Sequence, residues 1–357
     1  MKSIEEIDVN FKVSAEIPSD YGYLDPREAP FAVYGLVKND EGSYCRLPLE
    51  FLPECNEGVQ VLAWHLAGAC VRFSTDADGL AVVWQLKERG NMAHFTACGQ
   101  SGLELFEETD HGTVQVKNFI PAMDNGCGCK PEQSGFAKLK GGMRHYVLYL
   151  PLYNGLDKLV LGFPKTAKVE KGRTPKTDKP IVYYGSSITQ GGCASKVGSC
   201  YTTILARRLD AAQINLGFSG SGRGEANMAE YIASLDMSVF VMDYDHNAPD
   251  AEHLAKTHEA FFRIIREKNP ELPVVFVSKP DFDSNPEVNT ERRNIIVRTY
   301  ANAVAAGDKN VYFVDGEQFF GNTDRDMCSV DGCHPNDLGF IRMADTMEPV
   351  LRRILYQ

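Results

Sequence analysis

The stretch IVYYGSSITQGG, from Ile181 to Gly192, decides the fold of the C-terminal half. It starts as an apolar run typical of a buried β-strand and then breaks into a loop in which glycines flank two serines. In parallel α/β sheets, ligands bind at the carboxyl ends of the strands. We therefore expect the loop after Gly185 to lie at a functional edge of a sheet.

The sequence after Pro180 continues with apolar strands that alternate with amphipathic helices. The predicted strand segments are IVYYG, AAQINLGFSG, SVFVMDYD, PVVFVSK and VYFVDGE, and the predicted helices are YTTILARRL, NMAEYIASL, AEHLAKTHEAFFRIIREKN, TERRNIIVRTYANAVAAG and FIRMADTMEPVLRRIL. This alternation predicts a mostly parallel sheet with helices on both faces, which is an α/β domain of three layers. The loops that follow the strands should converge on one crevice.

The sequence before Pro164 has a different rhythm, with short apolar stretches between turn-forming residues. These stretches are FAVYGLV, VQVLAWHL, CVRFST, LAVVWQL, VQVKNFI and HYVLYLPL. Many short strands at regular spacing predict an all-β sandwich, similar to a jelly roll. A segment rich in Lys, Thr and Pro follows, so we predict domains at 1–165 and 180–357 and a solvated linker at 166–179.

The composition is that of a folded, acidic protein. Of the 357 residues, 43% are hydrophobic and 24% are charged, and the formal net charge is -11. This charge argues against a nucleic-acid partner, because binding phosphates needs a basic surface. No apolar run is long enough to predict a transmembrane helix. The N-terminus MKSIEEIDVN lacks the apolar segment of a signal peptide, so we expect a cytoplasmic protein; a periplasmic or secreted protein that has lost its leader is the alternative.

Ten cysteines are scattered along the chain, which favours reduced thiols over a disulfide scaffold. Pairing of Cys193 with Cys200, or of Cys328 with Cys333, remains open. The close pair Cys127-Gly128-Cys129 is spaced too tightly for the usual zinc knuckle, and no second ligand pair follows it. We therefore predict no metal at this pair.

Polar groups suited to catalysis follow several of the predicted strands. Gly185-Ser186-Ser187-Ile188 offers serine hydroxyls, which need a base to become nucleophiles. The glycine-rich run Asn215–Gly222 frees backbone N–H groups to approach a ligand. In the polar cluster Asp243–Asn247, the Asn247 amide could donate to an oxyanion, while we interpret His246 as part of a strand-end cap rather than as a base.

A fourth loop, DGCHPNDLGF, places Asp331 three residues before His334. On a turn, this spacing lets the carboxylate reach one imidazole nitrogen while the other nitrogen faces a serine. Each loop taken alone is also what an ordinary turn looks like. The combination of the four loops predicts acyl-transfer chemistry at a serine.

In this order, the four loops resemble the SGNH hydrolase superfamily, also called GDSL esterases and lipases. GSSI stands where many members read GDSL or GDSI, so the resemblance implies that Ser187 is the nucleophile, with Ser186 in place of the usual aspartate. DGCHPNDLGF matches the family's last block closely. The resemblance thereby implies a catalytic triad of Ser187, His334 and Asp331, and a flavodoxin-like α/β/α domain from Pro180 to the C-terminus.

The same resemblance implies an oxyanion hole made of the backbone N–H groups of Ser187 and Gly220 and the side-chain amide of Asn247. The N-terminal half is similar to the β-sandwich that precedes one branch of these hydrolases. That domain is marked by a Gly-x-Asp-Leu-Tyr motif, which reads Gly102-Leu103-Glu104-Leu105-Phe106 here, with Glu for Asp and Phe for Tyr.

Relatives with this two-domain architecture include esterases that remove acyl groups, often acetyl, from carbohydrates. The resemblance thus implies a serine esterase, a carboxylic ester hydrolase, that acts on small acyl esters of sugars without a metal or cofactor. Its partner would be a small-molecule or oligosaccharide ester. A lipase or thioesterase, an acyltransferase and a non-catalytic carbohydrate-binding protein are the alternatives. We expect Trp64 and Trp84 to pack in the core rather than on sugar rings, and the sequence does not predict the oligomeric state.

Overall fold

A computed structural model of the protein describes residues 4–8, 17–38, 42–124 and 128–357. Its N-terminal elements are α1 (Ile4–Ile7), β1 (Tyr21–Leu24), β2 (Ala32–Tyr34), β3 (Val37–Lys38), β4 (Tyr44–Cys45), α2 (Glu57–Leu62), β5 (Cys70–Thr75), β6 (Gly79–Leu86), α3 (Ala97–Ser101), β7 (Leu103–Thr109), β8 (Gly112–Phe119), β9 (Met123–Asp124), β10 (Gly128–Cys129), β11 (Glu132–Lys138), β12 (Arg144–Tyr149), β13 (Leu156–Pro164) and β14 (Val169–Lys171). Cys127 of the close cysteine pair lies outside the described residues.

Two antiparallel sheets form the N-terminal β-sandwich. One has the strand order β1-β13-β6-β11, and the other has the order β14-β5-β12-β7-β8 with β2 paired to β5. Their facing side chains share one apolar cluster, in which Phe73 and Trp84 are fully buried. The sandwich prediction is therefore confirmed, as is a core position for Trp84. Trp64 is only partly buried, and Lys87 Nζ lies 4.6 Å from its ring centroid.

The C-terminal elements alternate along the chain. They are β15 (Thr177–Gly185), α4 (Ser187–Gln190), α5 (Tyr201–Leu209), β16 (Ala211–Gly217), α6 (Ala226–Ala233), β17 (Val239–Asp243), α7 (Ala251–Lys268), β18 (Val274–Val277), α8 (Pro286–Ala305), β19 (Val311–Val314) and α9 (Asp337–Tyr356). All five strands run parallel in the order β16-β15-β17-β18-β19. This is the flavodoxin-like order.

The side chains of β15 show why this sheet has helices on both faces. Ile181 and Tyr183 pack into the apolar cluster that contains α5 and α9. Val182 and Tyr184 pack into the opposite cluster, with α6, α7 and α8. Since neighbouring side chains of a strand point to opposite faces, a continuous apolar run needs cover on both sides. The predicted three-layer α/β/α fold is confirmed.

One stretch predicted to be a strand is helical. VQVLAWHL alternates like a strand at its start, yet Glu57–Leu62 forms α2. The side chain of Asn56 accepts a hydrogen bond from Val59 N at 3.0 Å and so caps the helix. Val61 is 56% exposed, so the alternating valines do not form one buried face. The cap therefore outweighs the alternation.

The predicted linker, 166–179, contains regular structure. Strand β14 pairs with β5 of the sandwich, and β15 of the parallel sheet already begins at Thr177. Only a short stretch connects the two sheets, so the interpretation of this segment as solvated chain does not hold for β14. The boundaries of the two domains remain a prediction.

The two domains are in direct polar contact. Glu104, from the GLELF stretch, is fully buried and accepts hydrogen bonds from Lys196 Nζ and Gly198 N, each at 2.8 Å. Arg46 is equally buried and donates to Asn215 O and Gly217 O, again at 2.8 Å. The sandwich thus holds both the loop before α5 and the end of β16.

The cysteines of the described ranges are free thiols, which fits the expectation of reduced cysteines; the pairs Cys193–Cys200 and Cys328–Cys333 do not form. No helix within the described residues is long and apolar enough to cross a membrane.

Candidate active site

A short turn places Ser187 at the carboxyl end of β15. The strand ends at Gly185, Ser186 caps α4, and Ser187 is its first residue. Ser186 Oγ accepts from Ile188 N at 3.1 Å, and Ser186 N donates to Thr189 Oγ1 at 3.1 Å. This capping box fixes the turn, so the Ser187 hydroxyl has a defined position.

A buried carboxylate supports this turn from the neighbouring strand. Thr189 Oγ1 donates to Asp243 Oδ2 at 2.8 Å, and Tyr201 Oη donates to the same oxygen at 2.7 Å. Burial, only partly offset by these hydrogen bonds, raises the pKa of Asp243 to about 7. A carboxylate from β17 thus supports a nucleophile turn in which Ser186 stands at the family's usual aspartate position.

The structure brings the three predicted triad residues together. His334 Nε2 lies 3.0 Å from Ser187 Oγ, and His334 Nδ1 lies 2.8 Å from Asp331 Oδ2. Asp331 Oδ1 also accepts from the backbone N–H of Cys333 at 3.0 Å and of His334 at 2.7 Å. The turn before α9 therefore orients the carboxylate and the imidazole in one unit.

These contacts determine the charges at the turn. Burial opposes ionisation of Asp331, but the hydrogen bonds from His334 and Cys333 lower its pKa to about 2. Hydrogen bonds to the Cys333 sulfur and to Asp331 favour the protonated form of His334. They outweigh the opposing effect of partial burial and raise the pKa of His334 to about 9. Asp331 is therefore an anion at neutral pH and favours the cationic form of His334.

The glycine-rich loop after β16 lies against the nucleophile turn. An added Cβ at Gly222 would stand 2.6 Å from Gly185 O, so this approach needs a glycine. Gly220 has φ +65°, the left-handed region that glycine adopts without strain. Its N–H makes no hydrogen bond within the described residues. Ser187 N, in the first turn of α4, likewise has no acceptor within its helix.

Asn247 holds this loop instead of facing open space. Its Nδ2 donates to Phe218 O at 2.8 Å and to Gly222 O at 3.1 Å. Both amide N–H groups are thus engaged by the loop that carries Gly220. The structure gives Asn247 a loop-positioning contact, and its role as a direct oxyanion donor remains a prediction that requires one of these bonds to be released.

The N-terminal sandwich contributes side chains to the same crevice. Tyr153 Oη donates to Ser187 O at 3.0 Å. The His94 ring lies edge-on to His334 with 6.0 Å between the ring centroids, and its Nε2 is 3.9 Å from Asp331 Oδ2. Sequence reasoning missed both residues, because no short motif links positions so far apart in the chain.

A second group of polar side chains adjoins the first. Cys333 Sγ lies 3.1 Å from His246 Nε2, and His246 Nδ1 lies 3.3 Å from Asp281 Oδ1. His246 follows β17, as expected of the strand-end cluster, and does not contact Ser187, but its ring also contacts the triad loop, which the sequence analysis did not predict. The cluster DYDHN at the end of a buried strand was the signal that could have shown this.

Several donor atoms of this region lie within 4.8 Å of one another, in three overlapping groups. The groups are His94, Cys193 and His334; His246, Asp281 and Cys333; and Asp331, Cys333 and His334. Asp331 and His334 are already paired with each other, as are Cys333 and His246. We assign none of these residues as a metal ligand.

A cavity of about 1040 Å³ lies elsewhere, beside the helices α7 and α8. Its lining is largely charged and polar, with Glu259, Arg263 and Asp308 among its residues, and it contains no member of the predicted triad. This cavity therefore does not coincide with the catalytic groups. We place the active site where the nucleophile, the imidazole and the carboxylate meet.

Two family models match the sequence over these two domains. Residues 178–352 match the GDSL-like lipase/acylhydrolase family, and residues 21–169 match the N-terminal domain of esterases of the SGNH-hydrolase type. The chain belongs to the GDSL-like lipase/acylhydrolase family. No curated protein matches the sequence. Membership in the family makes the protein an acylhydrolase, an enzyme that acts on ester bonds.

Solved structures share the whole two-domain architecture. A protein described as a GDSL-like lipase, from Bacteroides ovatus, is 28% identical with a TM-score of 0.84, over 94% of this chain and 98% of its own. The salicylyl-acyltransferase SsfX3 of a tetracycline biosynthetic pathway is 19% identical, with a TM-score of 0.74 over 95% and 99% of the two chains. A family two carbohydrate esterase from Clostridium thermocellum is 14% identical, with a TM-score of 0.59 over 90% and 98%. The last two similarities concern the fold.

Proposed function

We propose that this GDSL-family acylhydrolase is a serine esterase that removes small acyl groups, chiefly acetyl, from carbohydrates by means of Ser187, His334 and Asp331. One observation carries the proposal: a hydroxyl, an imidazole and a carboxylate lie in series, with 3.0 Å and 2.8 Å between successive atoms. That is the arrangement in which a histidine activates a serine.

The proposed reaction has two stages. His334 Nε2 takes the proton of Ser187 Oγ as the oxygen attacks the ester carbonyl, and then gives it to the departing sugar oxygen. In the second stage, His334 takes a proton from water as the water oxygen attacks the acyl-enzyme. It then returns this proton to Ser187 Oγ as the acid is released. Asp331 keeps the imidazole in the tautomer whose Nε2 can accept a proton, and it stabilises the imidazolium formed in each transition state.

The oxyanion of each tetrahedral intermediate would be held by the backbone N–H groups of Ser187 and Gly220. Removal of one such donor typically costs about 3 kcal/mol of transition-state stabilisation. Asn247 supports this hole in either of two ways: it fixes the Gly220 loop, as its contacts to Phe218 and Gly222 indicate, or it turns one amide hydrogen toward the oxyanion.

Solved structures with the same fold support a carbohydrate ester as the substrate. They include carbohydrate esterases of family two, one of them in complex with a cellohexaose ligand, and an acetyl xylan esterase from Butyrivibrio proteoclasticus. Each has a TM-score above 0.5 to this chain. The acyl group and the sugar are inferred by analogy with these proteins, whereas the reaction is inferred from the family and the triad geometry.

The test has two arms with purified protein. The first measures kcat/KM on p-nitrophenyl esters of increasing acyl length, and the second measures acetate released from acetylated xylo-oligosaccharides. A small-acyl carbohydrate esterase should prefer acetyl in the first arm and release acetate in the second. A preference for long chains would indicate a lipase or thioesterase and would contradict the proposed substrate.

Two controls separate the remaining alternatives. Products are analysed with added sugar acceptors, because an acyltransferase would form acylated acceptor faster than free acid. Ser187→Ala is compared with Ser186→Ala, which removes the neighbouring hydroxyl and its cap but leaves the proposed nucleophile. We expect Ser186→Ala to keep at least about a tenth of the activity and Ser187→Ala to lose nearly all of it. A protein that binds oligosaccharides without turnover would refute the esterase.

A further inference from the structure

The second side-chain array is centred on Cys333 and is built from three separate loops. Cys333 lies on the turn before α9, His246 follows β17, and Asp281 follows β18. The thiol sulfur is 3.1 Å from His246 Nε2, and the opposite ring nitrogen is 3.3 Å from the Asp281 carboxylate. A thiol, an imidazole and a carboxylate therefore lie in series. They stand directly beside the serine array, which consists of Ser187, His334 and Asp331.

The carboxylate end of this array is buried and has further polar partners. Asp281 is 7% exposed, and its Oδ2 lies 3.2 Å from Lys279 Nζ and accepts from Ser284 Oγ at 3.3 Å. Asp281 Oδ1 and His246 Nδ1 are both buried and have no aligned hydrogen-bond partner within the described residues. Their 3.3 Å contact is an ion pair when His246 is protonated, and the neighbouring carboxylate favours that form.

The charges of the array favour an ionised sulfur. Burial opposes protonation of His246, but contacts with Asp281 and Cys333 outweigh it and raise the pKa of His246 to about 10. Burial likewise opposes ionisation of Cys333, yet His246 and His334 lower its pKa to about 7. A thiolate beside an imidazolium is the reactive form of cysteine.

Exposure distinguishes Cys333 from most of the other thiols. Among the free cysteines of the described ranges, Cys333 and Cys98 are partly exposed, and the others are buried. Burial raises the pKa of Cys98, with no imidazole among the groups that offset it. Cys98 is therefore a matched reference: a thiol of similar exposure that lacks the second array.

We propose that Cys333 is a second nucleophile of this protein, a thiolate held by the His246 imidazolium and oriented through Asp281, which accepts acyl groups from activated esters. Its sulfur lies within 4.8 Å of donor atoms of both Asp331 and His334, so it reaches the crevice of Ser187. This inference does not depend on the substrate assigned to Ser187.

The chemistry of the step is balanced with groups that are present. The sulfur anion attacks the carbonyl carbon, an S–C bond forms, and the C–O bond to the leaving group breaks. His246 donates its proton to a basic leaving oxygen, while a phenolate leaves without it. The product is a thioester on Cys333, which water or hydroxylamine then cleaves to return the thiol.

The direct experiment uses the Ser187→Ala variant and p-nitrophenyl acetate. We expect a burst of p-nitrophenolate that approaches one equivalent per protein, and one acetyl group on the tryptic peptide that carries Cys333. Neutral hydroxylamine should remove this acetyl group, because thioesters are far more sensitive to it than ordinary esters or amides. Adding Cys333→Ser should abolish the burst, whereas adding Cys98→Ser should leave it unchanged.

The wild-type protein provides a test that needs no variant. Its cysteines are alkylated with iodoacetamide at pH 7, and the rates at Cys333 and Cys98 are compared by peptide mass. Burial raises the pKa of Cys98, whereas His246 and His334 lower that of Cys333, so a larger fraction of Cys333 is thiolate at this pH. The weaker nucleophilicity of the more acidic thiol offsets only part of this advantage. We expect Cys333 to react at least about fivefold faster than Cys98.

Two variants test the partners of the sulfur. His246→Gln removes the cation that holds the thiolate, and Asp281→Asn removes the anion that holds His246. Both variants should slow alkylation of Cys333 and raise the pH at which this alkylation becomes fast. The effect of His246→Gln should be the larger. The other ionisable groups facing the sulfur are Asp331, His334 and Cys193, which these variants leave in place. Circular dichroism and the thermal midpoint verify that each variant is folded.

Three results would overturn the proposal. The first is an acetyl group on another residue, or none, in Ser187→Ala. The second is alkylation of Cys333 no faster than that of Cys98 in the wild type. The third is fast alkylation only after treatment with a chelator, because His246, Asp281 and Cys333 would then be ligands of a metal ion rather than parts of a nucleophilic array.

Discussion

Two arrays of the same form lie side by side at the edge of the parallel sheet, and they differ in the acidity of the nucleophile. In one, Ser187 contacts His334, which contacts Asp331; in the other, Cys333 contacts His246, which contacts Asp281. A serine hydroxyl keeps its proton until the transition state, so its histidine must be a free base. A thiol close to an imidazole transfers its proton beforehand and forms an ion pair.

The two carboxylates also differ in their exposure to solvent. The side chain of Asp331 is 35% exposed, whereas that of Asp281 is 5% exposed and is paired with Lys279. A solvent-facing carboxylate suits a histidine that gains and loses a proton in every turnover. A buried carboxylate, screened from water, raises the pKa of its histidine and favours the cation. Two arrays of similar geometry therefore differ in chemistry, because nucleophile acidity and burial decide where the proton resides.

The largest expected difference between the arrays lies in their nucleophiles. Ser187→Ala should lower kcat/KM for an acetyl ester by about 10⁴-fold or more, with a residual rate from the remaining groups. Cys333→Ser should leave kcat/KM within about tenfold of the wild type, because the serine array stays complete. Steady-state kinetics of both variants measure this. Equal losses would mean that the two arrays act as one catalytic unit.

The two carboxylates should differ next. Asp331→Asn should lower kcat/KM by roughly 10⁴-fold, since the histidine loses the anion that sets its tautomer and stabilises its cation. Asp281→Asn should lower hydrolysis by only a few-fold while it slows alkylation of Cys333. Parallel assays of hydrolysis and alkylation test this, with thermal midpoints as the control. A large loss of hydrolysis in a folded Asp281→Asn protein would contradict the division of roles.

The pH dependence shows how strongly the arrays influence each other. The folded pKa of His334 is about 9, above its ordinary value, and catalysis needs the neutral ring. The acid limb of kcat/KM should therefore extend above pH 7, with the rate rising as pH increases. Cys333→Ser removes the nearby sulfur anion, so the cation of His334 is less favoured and the limb should move to lower pH by about one unit. An unmoved limb would show that the sulfur does not act on His334.

The smallest expected effect concerns the contact from the sandwich. Tyr153→Phe removes the hydroxyl that donates to Ser187 O at 3.0 Å. One lost hydrogen bond of this kind costs about 1 kcal/mol, so we expect a fall of a few-fold in kcat/KM and a lower thermal midpoint. Alkylation of Cys333 should be unaffected, because the sandwich contact reaches only the serine array. A parallel loss in both assays would indicate general loosening of the crevice.

The sequence predicted the parallel sheet and the Asp331–His334 pair for physical reasons, whereas the choice of Ser187 over Ser186 came from the resemblance to the SGNH hydrolases. The run from Ile181 to Tyr184 is apolar at every position, and only a sheet with two covered faces accommodates that. Asp331 and His334 are three residues apart, so a single turn suffices to join them. Ser187 and His334 both lie at element boundaries that the pattern of strands and helices brings to one edge of the sheet.

The rest depended on contacts that no local pattern contains. The stretch that contains Glu57–Leu62 alternates like a strand but is helical, because the side chain of Asn56 caps the first turn. His246 and Cys333 are 87 positions apart and meet only through the order of the strands. Tyr153 and His94 belong to another domain. Pairings of this kind follow from how the elements pack, which the residue pattern of one segment does not specify.

The measurement that tests the assignment of Ser187 most directly is labelling by a fluorophosphonate, which reacts with activated serine hydroxyls. We predict one phosphonyl group per protein, on the peptide that carries Ser187, with esterase activity lost in proportion to labelling. His334→Ala should abolish labelling in a folded protein. Labelling at another residue, or full esterase activity in a protein that is completely labelled at Ser187, would contradict the assignment.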